Sequence, residues 1–425
     1  MNKEALAAIA IFVLVFGLIS RRLEKSIVTP PMAYVVFGLL IGSSALGLIQ
    51  EVGVTNELIK VLAEITLAVL LFTDASRITL KQLRQEYNLP LRLLGIGLPL
   101  AIVLGTLLAV LLFPDLNIWE AAVLSTILAP TDAALGQAIV NSSRIPISIR
   151  QAINIESGLN DGICLPILLL FISLAEETER SGAAYWLKFA SQQVIFGTFI
   201  GMAIGYLGIK AIALSLKRDW ITISFEDLAV LGLSILAYTC AEIAGGNGFI
   251  AAFTAGLVVG IVGTKSNLKR LQEFAEAEGQ LLTLISFLLF GAVMVIPSIN
   301  NATGSIWLYA IGSLTLVRIV SVAIAFSGLK LQLDSILIVG WFGPRGIASI
   351  IYGLLIMEKQ GLREGELIFT TMVITVLISI FAHGISAYPG SIWYANRIDD
   401  KKDIHHRMPE MNPVPEFPVR LPWRS

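Results

Sequence analysis

Charge is what this sequence has least of. Asp, Glu, Lys and Arg make up 14% of its 425 residues, where a soluble domain carries about 25%. Hydrophobic residues make up 56%, and 36 Gly come on top of that. A water-soluble chain of this length could not cover its surface with so few charges, which excludes a soluble enzyme and a disordered chain. Neither sign is in excess, with 30 basic and 31 acidic residues, so a nucleic-acid binder is excluded too. The two cysteines, Cys164 and Cys240, lie inside apolar runs and build no disulfide framework. Three His are too few to suggest a metal site. A Gly-rich phosphate loop is missing, so an ATP-driven pump is excluded on this chain alone. What is left is a polytopic membrane protein.

A helix needs about 20 mostly apolar residues to cross a bilayer. Windows of that size pick out thirteen spans, near 4–20, 28–49, 57–74, 89–113, 118–140, 148–175, 184–214, 226–245, 247–263, 278–297, 305–327, 333–357 and 366–390. The division between the eighth and ninth falls at Gly245-Gly246-Asn247-Gly248. The first run ends on Arg21-Arg22 without a small-residue cleavage site, so it is expected to be retained. Residues 77–88 have the pattern of a short amphipathic surface helix. Beyond residue 391 the composition turns to charge and proline, which reads as a flexible tail over 391–425.

The loop charges set a direction. Every second loop is cationic, from Arg21, Arg22 and Lys25 through Arg144 and Arg150 to Arg420 and Arg424, and 22 of the 30 basic residues fall on that side. Six fall opposite. The positive-inside bias puts the N-terminus outside and the C-terminus in the cytoplasm, in a bacterial or archaeal cell membrane. Gly38/Gly42, Gly197/Gly201/Gly205 and Gly256/Gly260 have the spacing that lets helices approach closely, and packing within one protomer is the expected use.

The two remaining basic residues, Arg318 and Arg345, sit in mid-span, as do Asp132, Glu156 and Asp161. A charge at the bilayer centre costs at least about 2.5 kcal/mol, so these side chains must face the bundle interior, pair, or meet water. Glu64, Asp74 and Glu242 lie closer to span ends, where a structural role is the simpler expectation. The sixth span carries Asn154-Ile155-Glu156-Ser157-Gly158-Leu159-Asn160-Asp161-Gly162. Residues four apart share a helix face, so Glu156 stacks on Asn160 and Ser157 on Asp161. Two carboxylates, an amide and a hydroxyl at one depth suit a hard cation. Low dielectric disfavours a bare carboxylate, so such a group holds a proton or a cation but not both. That competition is the chemistry of an exchanger.

Two spans are interrupted. The fifth contains Ala129-Pro130-Thr131-Asp132-Ala133 and the twelfth Gly343-Pro344-Arg345-Gly346. Proline removes a backbone donor, and Thr or Asp can cap a new half-helix. Interrupted segments at corresponding places in two halves point to a transporter's midplane site. The offset of seven helices lets spans four to six mirror eleven to thirteen with inverted topology. Half-helix ends leave partial charges in the membrane; Asp132 is placed to offset an N-terminal end and a buried Arg a C-terminal one. The expected fold is all-α, with about 13 transmembrane helices in inverted repeats and two broken helices crossing at mid-membrane.

These residues resemble the monovalent cation:proton antiporters, specifically the NhaP-like sodium/proton exchangers, over most of residues 5–390. Thr131-Asp132 is similar to that family's Thr-Asp-Pro element, with Ala133 in place of the proline. Glu156-Ser157 with Asn160-Asp161 resembles its Glu-Ser…Asn-Asp signature, Leu70-Leu71-Phe72 with Asp74 its third-helix motif, and Arg318 its buried arginine. Gly343-Pro344-Arg345-Gly346 resembles its Gly-x-Arg-Gly element, although Pro344 is not the common residue there.

The resemblance implies a homodimer in the lipid bilayer, exchanging Na+ (or Li+ or K+) for H+ by alternating access and serving pH homeostasis. It implies a mobile core over 89–175 and 305–390 and a dimerisation scaffold over 1–74 and 184–297. Asp161 would bind ion and proton in turn, with Na+ at Asp161, Thr131, Ser157 and Glu156, and with Asp132 and Asn160 completing the cation/proton-binding group. Asn160 would orient Glu156, and Arg318 would pair with buried acid. Asn rather than a second Asp before Asp161 resembles the electroneutral branch. No cofactor is implied beyond the transported ions. The alternatives are a cation-coupled solute symporter and, remotely, an intramembrane aspartyl protease using Asp132 and Asp161.

Overall fold

The structure is a computed structural model that describes residues 3–23, 26–49, 57–77, 88–176, 183–263, 279–358, 362–399 and 408–411. Thirteen helical segments run through the described residues: α1 (Lys3–Leu23), α2 (Pro30–Ile41), α3 (Glu57–Ser76), α4 (Asn88–Leu112), α5 in two pieces, α6 (Ile147–Glu176), α7 (Ala183–Lys217), α8 (Ile223–Ile243), α9 (Gly248–Val262), α10 (Gly279–Asn301), α11 (Gly304–Ala325), α12 in two pieces, and α13 (Gly365–Asp399). Among the described residues, seven helices are long and apolar enough to cross a bilayer outright, and shorter apolar helices such as α2 and α9 stand among them. The protein is an integral membrane protein of helices alone among the described residues.

Local sequence explains the interruptions. The first half of α5 (Ile118–Ile127) starts at a capping box, in which Asn117 Oδ1 accepts the Glu120 N–H and Glu120 Oε2 accepts the Asn117 N–H. It stops before Pro130, and the chain turns helical again over Ala133–Gly136 and Gln137–Val140. The first half of α12 (Leu333–Trp341) stops before Gly343-Pro344, and the second half (Ile347–Glu358) restarts after Gly346. The triplets α4–α6 and α11–α13 share a succession of irregularities. Each opens with a helix containing a π turn (Leu93–Gly97; Ser313–Val317), continues with a broken helix, and closes with a long helix holding one proline (Pro166; Pro389). The eighth and ninth spans separate at the expected glycines. Gly245 takes a φ of +74, a left-handed conformation that glycine adopts without cost. Asn247 then caps α9 by accepting the Ile250 N–H.

The chain forms two compact units. The first holds Met1–Lys60, Asn88–Ser157 and Leu284–Ser425; the second holds Val61–Tyr87 and Gly158–Thr283. Within the first unit α2 lies on α10 so closely that a Cβ added at Gly42 would sit 2.7 Å from the Ala292 carbonyl oxygen. Within the second, α7 lies on α9 through the Gly197/Gly201/Gly205 stripe, and a Cβ at Gly205 would sit 2.6 Å from the Ala255 carbonyl oxygen. Gly256 meets the backbone of Phe72 in the same unit. The small-residue spacings are thus used for packing inside the protomer.

The tail departs from the flexible segment expected over 391–425. Helix α13 continues to Asp399, and Pro409–Met411 form a single tight turn with Met408 and Glu410 buried. Met408 is an apolar side chain removed from solvent there, and Glu410 finds hydrogen-bond partners, described below. The rest of the tail, including the His405-His406 pair that the sequence reads as simply solvated, and the stretch 78–87 that holds most of the proposed surface helix lie outside the described residues.

Candidate functional site

The two breaks lie against each other inside the first unit and satisfy each other's backbone. The Asp132 N–H donates to the Pro344 carbonyl at 2.8 Å, and the Ser349 hydroxyl donates to the Ile127 carbonyl at 2.8 Å. Broken helices expose groups that lipid cannot satisfy, so they persist only where protein supplies partners.

The partial charges of the half-helix ends are answered in the same way. Arg345, 1% exposed, sends Nη1 to the carbonyl oxygens of Ala129 (3.2 Å), Pro130 (3.4 Å) and Gly343 (3.2 Å). It therefore covers the C-terminal ends of the first halves of both α5 and α12. Asp132 Oδ2 accepts the Ile347 N–H at 3.4 Å, the long edge of hydrogen bonding, at the start of the second half of α12. Each charge reaches the other broken helix, and Arg345 its own as well, which spacing along the sequence could not show.

Glycine placement follows from these side chains. A methyl group at Gly346 would overlap the Asp132 carboxylate, and one at Gly343 would overlap the Arg318 guanidinium. Gly343 and Gly346 leave room for the two polar side chains that flank the α12 break. Gly346→Ala is expected to cost about 1–3 kcal/mol, the range for overpacking a filled interior. The check is the thermal unfolding midpoint of the purified protein. Gly136, in the turn after the α5 break, has nothing within 4 Å of an added Cβ, and Gly136→Ala should leave that midpoint unchanged.

Arg318 follows directly on the π turn Ser313–Val317 of α11. Its guanidinium grips Glu156 of α6 with two parallel bonds, Nη1 to Oε1 at 2.5 Å and Nη2 to Oε2 at 2.7 Å, both side chains being 2% exposed. This is the fork geometry that arginine alone offers a carboxylate. One residue on, the Ser157 hydroxyl donates to the Thr131 carbonyl at 2.7 Å, tying α6 to the α5 break. Thr131, Asp132, Glu156, Ser157, Arg318 and Arg345 are all buried and gathered in the first unit.

Asn160 and Asp161 belong to the second unit, on the uninterrupted helix α6. Asn160 is fully buried and Asp161 half-buried. The helix keeps Asn160 one turn beyond Glu156, and Asp161 one turn beyond Ser157. In the same unit, Asp74 of α3 is buried, with its Cβ 4.0 Å from a Cβ placed at Gly158. Glu242 is exposed and accepts the Gly248 N–H at 2.7 Å, a structural role at the start of α9. Glu64 is half-buried.

Two buried carboxylates escaped the sequence reading. Glu120 Oε1 accepts the Glu364 N–H at 3.1 Å, and the spacing Asn117-x-x-Glu120 was a signal that could have found it. Glu410 in the tail has no local pattern that marks it.

Residues 8–391 match the family model described as sodium/hydrogen exchanger, transmembrane. The chain is 25% identical over 365 residues to Na(+)/H(+) antiporter 2 of Zygosaccharomyces rouxii, covering 81% of this chain and 45% of that protein. It is 25% identical over 372 residues to the Na(+)/H(+) antiporter of Saccharomyces cerevisiae, covering 83% and 37%. With the K(+)/H(+) antiporter NhaP of Alkalimonas amylolytica it shares 23% identity over 403 residues, covering 93% and 67%. The chain thus spans less than half the length of the two yeast relatives. The sodium proton antiporter MjNhaP1 of Methanocaldococcus jannaschii at pH 8 shares its fold, with a TM-score of 0.70 at 18% identity over 90% of this chain and 99% of that one.

Proposed function

The chain belongs to the sodium/hydrogen exchanger family, and from that premise we propose that it is a secondary active transporter exchanging Na+ for H+ by alternating access. Li+ and K+ are the other cations its oxygen groups suit. The observation that carries the reading is the crossing of two broken helices, whose end charges are answered from within by Asp132 and Arg345. Glu156 is likewise neutralised by Arg318. The alternation of proton and cation is assigned to Asp161, as the sequence resemblance has it.

Thr131 and Ser157 join the proposed Na+ set through oxygen atoms. Glu156 joins through the lone pairs its carboxylate keeps beyond the Arg318 contacts. Asn160, one turn from Glu156, is proposed to orient it. A single alternating carboxylate makes the exchange one for one and electroneutral.

The proposal includes a homodimer in the cell membrane, with the N-terminus outside and the C-terminus in the cytoplasm. It also includes a mobile core over 89–175 and 305–390 and a scaffold over 1–74 and 184–297. An intramembrane aspartyl protease is not supported, because Asp132 serves the start of a half-helix rather than an acid dyad. The test is dissipation of a pH gradient in proteoliposomes, titrated with Na+, Li+ and K+ and with no organic solute present. Gradient collapse on adding Na+ alone is expected. Collapse that requires an organic solute would make the protein a symporter, and no collapse with any cation would end the proposal.

A further inference from the structure

The first half of α12 is nine residues long, too short to be stable unaided, and it ends at the crossing of the broken helices. At its C-terminal end, Arg345 bonds the Gly343 carbonyl. At its N-terminal end, Gln332 occupies the capping position with extended backbone but makes no side-chain capping bond. The missing cap comes from the tail. Glu410, 1% exposed, accepts the Gln332 N–H at 3.1 Å and the Ser335 hydroxyl at 2.8 Å, both on Oε1.

The same residue is anchored on two further helices of the first unit. Its carbonyl accepts the Ser148 hydroxyl of α6 at 2.6 Å, and Ser335 continues to the Tyr394 hydroxyl of α13 at 2.7 Å. A carboxylate at a helix start offsets the positive end of the dipole, as Arg345 offsets the negative end of the same piece.

We propose that Glu410 is a positioning residue for transport, capping the first half of α12 from 78 residues away and so fixing the place of Gly343, Pro344 and Arg345 at the crossing. The effect reaches the ion through a rigid helix of about two and a half turns. Gly343 borders Arg318, the partner of Glu156, and the Pro344 carbonyl holds the Asp132 N–H. Loosening the cap lowers the fraction of molecules with the crossing assembled, and apparent cation affinity falls in proportion to that fraction.

This inference rests on the exchange reading, and the experiment keeps the two apart. Full-length wild type, Glu410→Ala, Ser335→Ala and their double variant are compared in proteoliposomes for Na+-dependent collapse of a pH gradient. Glu410→Ala is expected to raise the Na+ concentration for half-maximal exchange roughly fivefold, with the maximal rate kept within about twofold. Ser335→Ala should raise it roughly twofold, and the double variant no further than Glu410→Ala, since both act on one cap. Met411→Ala, on the half-exposed neighbour in the same turn, should change nothing.

Alanine is chosen because glutamine would bring amide protons to Oε2, which has no hydrogen-bond partner. A merely structural role would lower yield and unfolding temperature without moving the half-saturating concentration, and that result overturns the inference. Should Glu410→Ala fail to fold, Ser335→Ala decides by the same criterion. Wild type without exchange would instead overturn the functional reading itself.

Discussion

Asp161→Asn is expected to give a folded protein with no cation/proton exchange above that of protein-free liposomes. The substitution keeps size and shape, so α6 continues through it and a half-buried site absorbs it with little change in packing. What it removes is the second protonation state. A carboxylate can release a proton when a cation arrives and take one back when it leaves, whereas an amide is neutral at every pH of interest. The loss is therefore one of kind rather than degree, unlike the graded effect expected for Thr131→Ala or Ser157→Ala, which would remove one neutral oxygen each. Dissipation of a pH gradient measures the first half of the expectation, and an unfolding midpoint within a few degrees of wild type the second. Undiminished exchange in Asp161→Asn would move the function elsewhere in the chain.

The thirteen spans were legible because bilayer thickness imposes a length on apolar runs, and no partner is needed to see it. Residues 148–175 were expected where α6 occupies Ile147–Glu176. The breaks were legible for a related reason: proline and glycine act on the backbone locally, so Pro130 and Gly343-Pro344 mark the ends of half-helices without knowledge of the fold. The identity of the misplaced charges was legible as well, because their cost in a membrane is a property of each residue.

Their partners were not. Arg318 and Glu156 are 162 positions apart, and helical periodicity reports only on neighbours within a turn or two. Asp132 was expected at the start of a half-helix, yet nothing local says that the half-helix belongs to α12 rather than α5. Gly343 and Gly346 looked like breaker residues, and their second use, leaving room for Arg318 and Asp132, needs three dimensions. The tail shows the opposite failure. Its composition averages to a solvated, proline-rich segment, and one buried carboxylate in a four-residue stretch does not alter an average.

Arg318→Met is expected to destabilise the protein by about 3–5 kcal/mol, because it leaves the Glu156 carboxyl buried without the guanidinium that holds both its oxygens. The same principle makes the double variant Glu156→Gln with Arg318→Met far milder. With both charges gone there is no uncompensated ion to bury, and a well-filled neutral pair costs little or nothing relative to the salt bridge. The cycle of the parent, two single variants and the double isolates the coupling, expected at more than about 2 kcal/mol and read from thermal unfolding in detergent. A single variant as stable as the parent, or a double no better than the singles, would mean that the pair does not hold α6 to α11. Once the double variant is folded, its exchange separates two roles of Glu156. Asp161 is intact, so transport should persist. Loss of the carboxylate from the proposed Na+ set should weaken apparent Na+ binding by about tenfold, or roughly 1.4 kcal/mol. Unchanged affinity would confine Glu156 to holding the helices together and leave the cation to Asp161, Thr131 and Ser157.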